Sequence, residues 1–211
     1  MADNNSSKTI TVLAVFVFII SLFSVGVFYL SAKTLFSTIS GYASSVGEAN
    51  LSVETTVIIN FTTAHINWGS GRVNSGASSA TLDTSAGTVT NGNWTVQSNG
   101  LVLENIGNVN VTLNLSGTKT AAQMIGGTTP IYYWTFSEAE AGSCLNSTGG
   151  TTLWWTPGSW TDVNTTTTNI CGRFRFGDSQ DTFRIDFQLV VPSDSLIGAR
   201  GDTITATAFA A

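Results

Sequence analysis

The stretch TFRIDFQLVV, residues 182–191, places Phe183, Ile185, Phe187, Leu189 and Val191 in one phase and Thr182, Arg184, Asp186, Gln188 and Val190 in the other. A period of two is that of a β-strand, whose successive side chains point to opposite faces. A row of large apolar groups on one face has to be covered by a second sheet, so this strand predicts two layers. Pro192 ends it, and residues 194–201 form a turn into a further alternating strand over residues 202–209, which would close the domain as a strand pair.

Val109, Val111, Leu113 and Leu115 alternate in the same way. Residues 101–104 precede them across Asn105-Ile106-Gly107-Asn108, which predicts a hairpin. Shorter strands are expected over residues 53–61, 65–68, 88–97, 131–136, 153–156 and 172–176, and around Ala80. The intervening turns are rich in Gly, Asn and Ser, and no helical segments alternate with the strands to make a parallel sheet. The predicted fold class is mainly β: an Ig-like antiparallel β-sandwich over residues 48–211, preceded by one long N-terminal hydrophobic α-helix.

That helix is read from TITVLAVFVFIISLFSVGVFYL, residues 9–30, which lies in a stretch without charge between Lys8 and Lys33. At 1.5 Å per residue it spans about 33 Å, enough for a hydrocarbon core of about 30 Å, where the backbone must satisfy itself. Residues 1–8 form a short polar N-terminus. Beyond the run, Leu35, Phe36, Ile39, Tyr42, Ala43 and Val46 keep spacings of three and four, so the helix is expected to continue, amphipathic, to Gly47. Val12, Val15, Phe16, Ile19, Phe23, Leu30, Phe36 and Ile39 are the candidate membrane or assembly contacts. Three readings stay open: a cleaved signal peptide, an uncleaved signal anchor, and a helix that outlasts the membrane to pack elsewhere.

A greasy rod that turns amphipathic and is capped by a β domain resembles archaeal type IV pilins and archaellins. The phrases LVLENIGNVNVTLNL and FRIDFQLVVPSDSLIGARGDTITATA look like strands of Ig-like modules in archaeal surface proteins. The resemblance implies a helix held in the membrane before assembly and packed in a filament core afterwards. The junction Ser7-Lys8-Thr9 differs from the family's processing site, where basic residues are followed by Gly or Ala.

Only 10% of residues are charged, and eight Lys and Arg face thirteen acids. Affinity for a polyanion comes from basic residues neutralising phosphates, so nucleic acid is set aside as a partner. The two cysteines, Cys144 and Cys171, read as one disulfide in an exported domain. Sequons occur at Asn50, Asn60, Asn93, Asn110, Asn114, Asn146 and Asn164, and N-linked glycans are expected on some of them. Asn110 and Asn114 are out of phase with the apolar set around them and should face solvent, as should Asn60 and Asn93. The sequons at Asn4 and Asn5 precede the apolar run and are expected to stay bare.

Candidate chemistry is sparse. His65 stands alone, and neither a triad nor a zinc site is built from one histidine. Glu138 and Glu140 are two apart in a Gly/Ser-rich turn, with nothing nearby to raise one carboxyl. Asp162, Asp178 and Asp181 match no calcium-loop spacing. Arg200-Gly201-Asp202 reads as a turn, whereas Trp154, Trp155 and Trp160 are either one end of the core or a binding loop. Neither catalytic nor metal-binding residues, nor any cofactor, are expected. Two function classes follow: a non-enzymatic subunit of a cell-surface polymer or coat, or a membrane-anchored adhesin or glycan binder. Both place the chain at the cell surface, the first as a homo-oligomer or polymer.

Overall fold

The computed structural model describes residues 4–37 and 48–211, with side chains from 9 to 30 and from 48 onward. The chain divides into two compact units, Met1–Ser52 and Val53–Ala211.

In the first unit, α1 runs from Asn4 to Ser37. It begins inside the polar N-terminus expected over residues 1–8, because Asn, Ser, Ser and Lys extend a helix at little cost once the apolar run has formed it. Every side chain from Thr9 to Leu30 is exposed. The expected continuation to Gly47, including Ile39, lies outside the described residues, as does the side chain of Phe36.

The second unit is all β apart from one helical turn, and forms two antiparallel sheets. The larger is centred on β10 (Thr182–Pro192), the strand the sequence marks most plainly. β6 (Ile131–Glu138) pairs along one side of it, from Phe183 to Val190. On the other side β4 (Leu101–Asn105) and β2 (Ser79–Asp83) lie end to end, pairing with residues 182–185 and 188–192. β1 (Ile59–Thr63), β3 (Thr88–Thr90) and β8 (Thr161–Asp162) complete this sheet. The smaller sheet has the order β11 (Thr205–Ala210), β5 (Val111–Ser116), β9 (Thr168–Phe174), β7 (Cys144–Leu145). This matches the expected mainly β architecture of two antiparallel sheets and is consistent with an Ig-like sandwich.

Periodicity translates directly into burial. Phe183, Ile185, Phe187 and Leu189 of β10 share the core with Tyr132, Trp134 and Phe136 of β6 and with Val111, Leu113 and Leu115 of β5. The rings of Phe174 on β9 and Phe183 on β10 meet edge to face at 6.2 Å, which brings the two sheets together. Where β2 stops and β4 has not begun, the outward Asp186 is buried, and Arg184 grips both its carboxylate oxygens at 2.8 Å. Thr84 Oγ1 also donates to Asp186, and Gly100 closes the gap: a Cβ there would stand 2.3 Å from the Ile185 carbonyl oxygen.

Several expected elements are placed differently. Strands β4 and β5 are not a hairpin, because residues 105–110 carry the chain from the larger sheet to the smaller. The corner is held by Asn105, fully buried, whose Nδ2 donates to the carbonyls of Val109 at 3.0 Å and Phe174 at 3.2 Å. A tight hairpin turn keeps both strands in one sheet and cannot span two layers, and the buried amide supplies the bonds that a hairpin ladder would have made. Likewise β10 and β11 do not pair, but belong to opposite sheets. Residues 65–68 and 153–156 are not strands, and 53–61 is a strand only from Ile59. Residues 54–56 are instead clamped by Asn108, whose Nδ2 donates to Glu54 O and whose Oδ1 accepts from Thr56 N.

Candidate functional site

A helix built from Ile, Val, Leu and Phe normally buries one stripe, and one that is apolar all round belongs in a membrane or in the centre of a larger body. In α1, Val12, Val15, Phe16, Ile19, Phe23 and Leu30 are between half and three-quarters exposed, as are Leu13 and Phe18 between them, and Phe28 is more exposed still. Apolar surface therefore covers every side of the rod from Thr9 to Leu30, a span of 22 residues, long and apolar enough to cross a membrane. Ser24 spends its hydroxyl on the Ile20 carbonyl one turn back, at 2.8 Å, so it adds little polarity to that surface.

The second candidate is the tryptophan segment, and the structure separates its three members. Cys144 and Cys171 form the expected disulfide, with Cα atoms 5.3 Å apart, and close the loop that contains them. Trp155 is core: it is 6% exposed and packs on Phe136 at 5.8 Å and Phe183 at 5.5 Å. Trp154 is 53% exposed, and Trp160 is half-buried beside β8. Between Leu113 and Asn114 the register of β5 on β9 shifts, so that Ile170 and Cys171 are both buried. At this irregularity the two indoles donate to successive carbonyls, Trp154 Nε1 to Asn169 at 2.7 Å and Trp155 Nε1 to Ile170 at 2.9 Å. Trp154 is thus pinned by its one polar atom with much of its ring exposed.

The remaining candidates hold the fold. Both Glu138 oxygens accept backbone N–H groups, from Cys144 and Gly142, at 3.0 Å. Glu140 accepts the Asp181 N–H, which holds its carboxyl below the usual range, whereas burial pushes the Asp181 carboxyl up. Asp162 and Asp178 are exposed, as is His65. Among the described residues no group of three or more His, Cys, Asp or Glu is placed to hold a metal. In Arg200-Gly201-Asp202 the Asp202 carboxylate accepts from Thr118 N at 3.0 Å and Thr203 N at 2.8 Å. It also lies beside Tyr132, whose hydroxyl is raised well above the ordinary phenol range by burial and by that charge. The tripeptide is part of the domain's own scaffold.

The sequons fall into different surroundings. Asn50, Asn60, Asn93 and Asn164 are exposed. Asn110 and Asn114 are half-buried, and Asn114 accepts from the Asn169 side chain at 2.9 Å. They are out of phase with the core as expected, but Asn114 lies on β5 between Thr207 of β11 and Asn169 of β9. Asn146 is half-buried within its own loop. Sequence reasoning missed Asn105 and Asn108 as corner residues, since a buried amide and a turn amide have the same spelling.

Fold and surfaces together define a mainly β chain with an N-terminal apolar helix and one cystine. No protein-family model, curated protein or solved structure matches the chain.

Proposed function

We propose that this chain is a non-enzymatic structural subunit of an extracellular cell-surface assembly, a pilin-like filament or a surface coat. α1 serves for membrane insertion and then for packing among copies, and the β unit, bearing N-linked glycans, forms the outside. The observation that carries this reading is α1 itself: 22 consecutive residues with apolar surface on all sides, followed by a domain that buries its own core. Its cystine suits an oxidising exterior. Low charge suits repetitive packing of identical neighbours, because few like charges meet. The test is electron microscopy with peptide identification on the fraction sheared from native cells. The chain is expected as the main component of sheared polymers or lattices; recovery only as dispersed particles in the membrane pellet overturns the reading.

A second reading, a single-span membrane-anchored adhesin or glycan binder, draws on Trp154, since a pinned, exposed indole can stack on a sugar or anchor a partner. Trp154→Ala with the fold intact and attachment lost would favour it; unchanged attachment dismisses it.

A further inference from the structure

The sequons differ in what the fold has already done with their reactive groups. Sugar transfer to asparagine joins Nδ2 to C1 of a lipid-phosphate-linked oligosaccharide. The N–C1 bond forms, the C1–O bond to phosphate breaks, and the lipid phosphate leaves with that electron pair as the amide gives up a proton. The acceptor must therefore offer Nδ2, a hydroxyl two residues on that is not spent on that amide, and a side chain open to solvent.

Asn146-Ser147-Thr148 offers none of these. Asn146 Nδ2 donates to the Thr152 carbonyl at 3.1 Å, and its Oδ1 accepts from Thr148 N, Thr148 Oγ1 and Gly150 N between 2.7 and 3.0 Å. The sequon hydroxyl is thus spent on the sequon's own amide. The backbone is shut as well: Asn146 N donates to Gly150 O, and Gly149 N returns to Asn146 O. The segment also lies flat on β9. A Cβ on Gly172 would stand 2.1 Å from Ser147 N and 2.5 Å from Ser147 Cα, so only glycine permits this approach. Cys144 sits two residues before Asn146 and Cys171 one before Gly172, so the disulfide staples the sequon to the strand it rests on. Asn60 is the more open case: its side chain is exposed on β1, which pairs with β4 alone, and its sequon hydroxyl, Thr62 Oγ1, donates away from the amide, to the Val102 carbonyl at a long 3.4 Å.

We infer that the Cys144–Cys171 disulfide acts as a gate on glycosylation: it closes the Asn146 sequon to sugar transfer, while Asn60 remains an open acceptor for a lipid-linked oligosaccharide. This rests on the proposed export of a glycan-bearing domain, and gives its modification an order: Asn146 is modified only on chains reached before the disulfide closes.

The test uses the full chain, purified oxidised in detergent, with an oligosaccharyltransferase and its lipid-linked donor, read by glycopeptide mass spectrometry. Asn60 is expected to be modified and Asn146 to stay below about a tenth of its occupancy. In Cys144→Ser/Cys171→Ser, and in Gly172→Ala, which keeps both cysteines, Asn146 occupancy is expected to rise at least fivefold, with Asn60 unchanged. Equal modification of Asn60 and Asn146 on the oxidised chain overturns the gate. Should the variants not fold, the comparison of the two sites on the oxidised chain still decides. Modification at Asn164 with Asn60 and Asn146 both bare also overturns the inference, but leaves a glycan-bearing domain standing. All sequons bare removes the glycans as well, while the filament itself is judged separately on sheared material.

Discussion

The helix and the β unit spend the same side chains in opposite ways. In α1, Phe16, Ile19 and Phe23 are between 55% and 75% exposed. In the β unit Phe136, Phe183 and Ile185 are at most 1% exposed, and Phe174 meets Phe183 edge to face between the layers. Burying an apolar side chain of this size stabilises by about 1.5–3 kcal/mol, a gain the β unit collects within itself. In α1 the same gain is left uncollected by the side chains from Thr9 to Leu30, and under the proposed function lipid or neighbouring copies supply it. One region specifies its own structure, and the other specifies a surrounding.

The largest effects should fall separately on the two halves. A lysine at the centre of a membrane-crossing helix costs about 2.5–3.5 kcal/mol, so Ile19→Lys should reduce membrane partition on the order of 100-fold. The melting temperature of the β unit should not move. Flotation and calorimetry on one preparation measure both; a change in both would mean that the helix and the β unit are not energetically independent. The converse is Phe183→Ala, which removes the ring shared by Phe136, Trp155 and Phe174. It should cost about 3–5 kcal/mol and lower the melting temperature by about 10 °C with partition unchanged.

Asn105 is a polar group that acts as core. Replacing it by Ala strands two carbonyls, that of buried Phe174 and that of half-buried Val109, and should cost about 1–3 kcal/mol in chemical denaturation. A cost below about 0.5 kcal/mol would mean that water serves the corner equally well. The same residue marks where the sequence stops being legible. Alternation in Phe183–Leu189 and in Val111–Leu115 placed two strands and the core they share, and the apolar run from Thr9 placed α1. Partnership did not follow, because period two fixes which face is buried and not which sheet a strand joins. A turn spelled Asn-Ile-Gly-Asn serves a hairpin or a crossover equally, and only the burial of Asn105 decides. The Trp segment shows the same limit: one tryptophan became core and its neighbour stayed exposed, and the difference lies in an irregularity of β9 that no local pattern announces.

The smallest effect concerns Asp181, a carboxyl buried at the end of the larger sheet. It sits where Glu140 accepts its backbone N–H at 3.0 Å and Asn105 donates to its carbonyl at 3.0 Å. Burial raises its pKa, and the charges of Glu140 and Glu104 add to the rise, whereas the Thr182 hydroxyl works against it. A raised acid stabilises the fold fully below its unfolded value, about 3.9, and loses that contribution as pH climbs through the folded value. Glu140, held low by the Asp181 N–H, contributes in the other direction: its share is present above about 4.3 and is lost on acidification. At neutral pH the domain therefore keeps the Glu140 contribution and carries the Asp181 penalty. Asp181→Asn retains an acceptor for Thr182 and removes the charge beside Glu140. Its melting temperature should rise by about 1 °C at pH 7 and match the wild type at pH 3, where Asp181 is already protonated. A loss of stability of the same size at both pH values would show that the Asp181 carboxyl is needed for its shape and not tolerated for its charge, which would make this corner as self-consistent as the apolar core.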